Sequence, residues 1–84
     1  MLQQLRQEIR SYKSQLLHKV REQQTKEYNL EGVVEGMEYK DLTKQQRQSI
    51  RKINRYYDNI IFELCYRFDN MVVGITKTEE NLKL

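Results

Sequence analysis

The side chains in this chain that could do covalent or metal chemistry are few and scattered. His18 is the one histidine and Cys65 the one cysteine. Nucleophilic catalysis needs a thiol or hydroxyl beside a base that a third group orients. These two fall on different predicted helices with no pattern joining them. A single cysteine cannot close an intrachain disulfide, and one Cys with one His is too few for zinc. Glu63 and Asp69 lack the paired carboxylates or the Glu-x-x-His spacing by which helical bundles hold metal ions. Gly32 and Gly36 lack the flanking strand, Lys and Ser/Thr of a phosphate loop. The expectation is a protein that is not an enzyme and has no metal or cofactor. Cys65 is then a small packing residue.

One arrangement does suit a ligand. Lys44, Arg47, Arg51 and Arg55 recur at three- or four-residue spacing, which puts four cations in one sector of a helix. Guanidinium groups in such a row match phosphates, and Tyr56 or Tyr39 nearby could stack on unpaired bases. The same row has a plainer reading as a solvated helix face. Net charge is +3 but is compartmented: residues 1–26 carry +4, residues 27–38 carry −4, residues 39–57 carry +5, and the remainder −2. Glu27, Glu31, Glu35 and Glu38 make up the acidic block, and in a second plain reading they neutralise the basic row through exposed ion pairs worth ~0–1 kcal/mol each.

The elements that must position these residues are two helices. Leu2, Leu5, Ile9, Tyr12, Leu16 and Val20 share one face and predict helix 1, over about residues 2–28. Asn29 followed by Leu30 suits a left-handed cap. Thr43 to Val73 contains neither Pro nor Gly, and Ile50, Ile53, Tyr57, Ile60, Leu64, Phe68, Met71 and Ile75 recur at helical spacing. Thr43 with Gln46 reads as a capping box. Helix 2 is therefore expected over about 43–73, with Gly74 as an end or bend. Thr76 with Glu79 would cap a final turn in a tail over 74–84. The connection, 29–42, contains LEGVVEGMEYKDL; its apolar side chains favour a short local element over a bare loop. LTKQQRQSIRKI resembles the leading helix of helix-turn-helix proteins. The chain then continues for some twenty residues without a turn, which excludes that motif.

Helices of about 27 and 31 residues would span ~40 and ~46 Å, lengths that favour an antiparallel hairpin. Eighty-four residues form one small domain, near the size at which a core barely offsets chain entropy. Around helix 2 from Ile60 to Val73 the apolar residues lie almost all the way round. Phe62, Tyr66 and Val73 point away from the hairpin, and a single partner helix cannot cover both sides. The fold expected is all-α, a helical hairpin that dimerises through this segment into a four-helix bundle. The same aromatic face would also serve as a site for another protein.

The N-terminus alternates charge with apolar residues, and no run approaches the ~20 apolar residues of a membrane span. A cytoplasmic protein without membrane contact is expected. The function these features favour is regulatory binding, in the manner of a phage or mobile-element regulator. The basic ridge would dock on a nucleic acid or nucleoprotein through Lys44, Arg47, Arg51 and Arg55, with Lys19 and Arg21 assisting. The alternative is an adaptor or inhibitor that contacts a protein through Phe62, Tyr66 and Val73.

Overall fold

The computed structural model describes residues 2–82. Two helices, α1 (Leu2–Leu30) and α2 (Lys44–Leu82), pack side by side in an antiparallel hairpin measuring 61 × 17 × 17 Å. Among the described residues there is no strand, and no helix is long and apolar enough to cross a membrane. The hairpin expected from the periodicity is present.

The connection is a chain of tight turns that lies beside the first turns of α2. It starts where α1 ends. The Val33 N–H donates to the Tyr28 carbonyl (2.9 Å) and the Gly32 N–H to that of Asn29 (3.0 Å), the double closure of a Schellman motif. The left-handed residue is Gly32, with φ of +79°, and not Asn29. The cap lies three residues later than expected because a residue without Cβ takes this conformation at lower cost than asparagine. A turn over Val34 to Met37 and a short 3₁₀ turn, Tyr39–Asp41, follow. This supplies the local element expected in the segment.

At the other end of the connection the capping box forms as its spacing implied. The Thr43 hydroxyl accepts from the Gln46 N–H (3.1 Å), and the Gln46 side-chain oxygen accepts from the Thr43 N–H (2.9 Å). The same side chain then does a second task. Its Nε2 donates to the Glu31 carbonyl (3.2 Å), one of the orphan acceptors at the end of α1. One glutamine thus starts α2 and ties it to the end of α1.

α2 does not stop or bend at Gly74; it runs on to Leu82. The expected tail from residue 74 is helical over the described residues, while Leu84 lies outside them. Thr76 caps nothing: its hydroxyl donates back to the Val72 carbonyl (3.1 Å), and that of Thr78 to Gly74 (3.0 Å), the pattern of threonines inside a helix. The physical reason lies across the hairpin. Val72, Ile75 and Glu79 are half-buried, and Arg6 of α1 reaches the Glu79 carboxylate at 2.7 Å. These tertiary contacts outweigh the ~1 kcal/mol that a helical glycine costs.

Two helices touch along a seam, and among the described residues only Tyr57 is buried, at 5% exposure. On α1 the half-buried residues are Arg6, Ile9, Lys13, Leu16, Val20, Gln24 and Glu27 among others, so polar side chains alternate with apolar ones along the contact. Leu5 and Tyr12, expected inside, are largely exposed, as is Met71 of α2, whose place Val72 takes. The polar seam residues have partners. Lys13 meets Asp69 at 2.9 Å, and Asn54 accepts from both Tyr28 and Gln24. Tyr12 still reaches the seam through its ring, 6.1 Å from that of Phe68.

Burial pushes the Tyr57 phenol up to about 12 from its ordinary 10.0, and the neighbouring Glu27 carboxylate adds to this as hydrogen-bond acceptor and as negative charge. The fold holds the neutral phenol, so this contribution to stability is complete below pH 10 and is lost as pH rises toward about 12. The Lys13 amine, raised above 10.5 chiefly by its hydrogen bond to Asp69, acts in the same direction.

Two measurements check this account. In an ultraviolet phenolate titration, Tyr57→Phe should remove an ionisation step near pH 12 that accompanies alkaline unfolding. Glycine substitutions should have opposite signs. Gly74→Ala, at a helical position where an added Cβ would meet nothing within 4 Å beyond its own helix backbone, should stabilise by about 0.5–1 kcal/mol. Gly32→Ala forces a left-handed alanine with its Cβ 3.2 Å from Gln46 Nε2, and should destabilise by about 1 kcal/mol or more in thermal melts.

Candidate nucleic-acid interface

The capping box places Lys44 in the first turn of α2, and the helical repeat carries Arg51 and Arg55 onto the same outer side, within a sector of roughly 40°. All three are exposed. Arg47 differs. It is half-buried, its guanidinium carbon lies 4.6 Å from the centre of the Tyr39 ring, and it donates to the Tyr39 carbonyl at 3.2 Å. Its Nε is buried without a protein partner. The expected four-residue ridge is thus three outward cations plus an arginine that holds the connection. Arg51 touches the same tyrosine at the limit of a hydrogen bond, 3.5 Å from its hydroxyl.

A shallow groove runs beside the ridge, lined by Gln48, Arg51, Lys52, Arg55, Tyr56 and Asn59. Tyr56 is 62% exposed and packs edge-on against buried Tyr57, with ring centres 5.2 Å apart. A rigid neighbour beneath it keeps one aromatic ring presented to solvent between cations. Lys52 was not among the residues expected at the site. Its signal in the sequence is the spacing of four to Tyr56, which puts both on one edge of α2.

Lys19 and Arg21 are exposed on α1. Arg21 lines a separate depression with His18, Glu22, Thr25 and Lys26. The acidic block does not neutralise the ridge. Glu38 pairs with Lys40 (3.2 Å) and Glu27 faces Tyr57. Glu31 and Glu35 are exposed, and among the described residues neither is within ion-pair distance of a base. Lys44, Arg51 and Arg55 likewise have no carboxylate at that distance among the described residues.

Farther along the same side of α2 the surface turns apolar. Phe62 and Tyr66 are 70% and 61% exposed, their rings stacked at 6.3 Å with 14° between planes, and Val73 continues the line. By contrast, the side chains considered for chemistry are not assembled. His18 forms an exposed pair with Glu22 at 2.9 Å and Cys65 is half-buried on α2. Among the described residues no group of three or more His, Cys, Asp and Glu comes together.

No protein-family model matches this chain, and neither a curated protein nor a solved structure matches it.

The division of labour among the arginines is measurable. Arg47→Ala removes a cation–π contact and a hydrogen bond to Tyr39 and should cost about 1–2 kcal/mol of stability in urea unfolding. Arg51→Ala should stay within about 0.5 kcal/mol.

Proposed function

We propose that this chain is a non-catalytic binding protein whose ridge of Lys44, Arg51 and Arg55, with Lys52 and Tyr56 alongside, docks on the backbone of a nucleic acid. The observation that carries this reading is three exposed cations in one narrow sector with no carboxylate at ion-pair distance among the described residues, beside an exposed tyrosine held by Tyr57. Cations kept unpaired at a surface are available to phosphates, and each phosphate contact releases counterions. The ring of Tyr56 offers a stacking platform for an unpaired base, worth ~1–3 kcal/mol. A single-stranded or locally opened segment fits this pairing of ring and cations better than an intact duplex, whose bases are already stacked. The second reading, an adaptor for another protein, is favoured by the stacked and exposed Phe62 and Tyr66.

Salt separates the two. Three or four phosphate contacts give a slope of roughly −2 to −4 in log affinity against log salt concentration. In fluorescence titrations with a labelled oligonucleotide, Arg51→Glu plus Lys52→Glu should abolish binding while circular dichroism remains unchanged. Arg47 is left intact in this variant because it holds the connection. A flat salt response, or full binding by the double variant, would favour the adaptor.

A further inference from the structure

We propose that the outer face of α2 pairs with the same face of a second copy, antiparallel, in a register that sets Arg55 against the partner's Glu80 and Phe62 against the partner's Val73. Three observations lead here. The first is area. The chain exposes 7036 Å², where a compact protein of 10.3 kDa exposes about 5,400 Å². The excess is about twice the ~800 Å² per partner that a stable interface uses.

The second observation is the pattern along the face. Arg55, Phe62, Tyr66, Asp69, Val73 and Glu80 lie within one sector of the helix, all exposed. The line is basic at one end and acidic at the other, and between them Phe62, Tyr66 and Val73 are interrupted only by Asp69. A two-fold axis passing between Arg67 and Phe68 brings each of these residues opposite a complement. Arg55 meets Glu80, Phe62 meets Val73, and the Tyr66 phenol meets Asp69, whose carboxylate Lys13 holds at 2.9 Å. Each pairing occurs twice because the contact is isologous. A parallel arrangement would instead set Arg55 against Arg55 and Glu80 against Glu80, like charges that repel.

The third observation is the continuity of α2. Glu80 stands in line with Arg55 only because the helix passes straight through Gly74 to Leu82. Neither Arg55 nor Glu80 has an ion-pair partner among the described residues, so both are available for this contact. The resulting assembly is a row of four helices with α2 of each copy inside and α1 outside. Arg51 of the two copies then sits at opposite ends, ~50 Å apart by the helical rise. Arg55 passes from the ridge to the interface, leaving Lys44, Arg51 and Lys52 for phosphates. The pairing does not depend on nucleic-acid binding and is tested without it.

Sedimentation equilibrium at micromolar concentrations is the measurement. The unmodified chain should be a dimer at tens of micromolar. Phe62→Lys should leave a helical monomer by circular dichroism. Arg55→Glu and Glu80→Arg should separately weaken the dimer by about tenfold or more, since each reversal replaces an attraction with a repulsion at two symmetric sites. Combining the two reversals should restore affinity to within a few-fold. A chain that sediments as a monomer at that concentration would overturn the proposal, and so would a double reversal that fails to restore the dimer.

Discussion

Two cylinders in contact share only a line, and this geometric fact governs the molecule. A two-helix hairpin has no interior in which a side chain can be surrounded, so every seam residue but Tyr57 keeps part of its surface in water. Full burial of a leucine or isoleucine contributes about 1.5–3 kcal/mol, and a half-buried one gains correspondingly less. Polar residues on the seam are then tolerable. Arg6, Lys13, Gln24 and Glu27 extend their aliphatic stems along the contact and hold their polar ends at its edge, where each has a partner on α2 or, for Gln24, on both helices.

Those polar partners supply what a thin apolar seam lacks, which is register. Leucine against isoleucine is nearly indifferent to a shift of one turn. Arg6 with Glu79, Lys13 with Asp69 and Tyr28 with Asn54 are not, since a shift would separate all three. They follow one another in antiparallel order from the open end of the hairpin toward the turn, and Gln46 closes the turn itself. Besides what these partly buried contacts contribute to stability, they select one alignment. That alignment in turn determines which residues of α2 remain outside.

The outer side of α2 is therefore a by-product of the seam with a character of its own. Its first turns carry the exposed cations Lys44, Arg51 and Arg55, its middle carries Phe62 and Tyr66, and Glu80 lies farther along. Connection residues contribute by removing one cation from this face, since Tyr39 engages Arg47. Along this one side of the helix the surface is thus cationic near the turn and apolar toward the open end.

Much of this was legible in the chain because periodicity and local capping act between residues close in sequence. The three-four spacing of Ile50, Tyr57 and Leu64 specifies a helix wherever it lies, and Thr43 with Gln46 closes a capping box using only its own neighbours. The outward position of Phe62, Tyr66 and Val73 followed from the same repeat. What lay beyond reach depended on residues far apart. Gly74 signals a helix end, and only Arg6, Val72 and Glu79 meeting across the hairpin carry α2 past it. Arg47 looks identical to Arg51 in the sequence; the fold of the connection decides that one guanidinium is half-buried over the Tyr39 ring while the other stays exposed and reaches only that residue's hydroxyl. Local sequence thus determined the two helices, their caps and their faces. Tertiary structure alone decided that α2 continues past Gly74, which arginine is half-buried and how the helices align, because these depend on contacts between distant residues that no local spacing encodes.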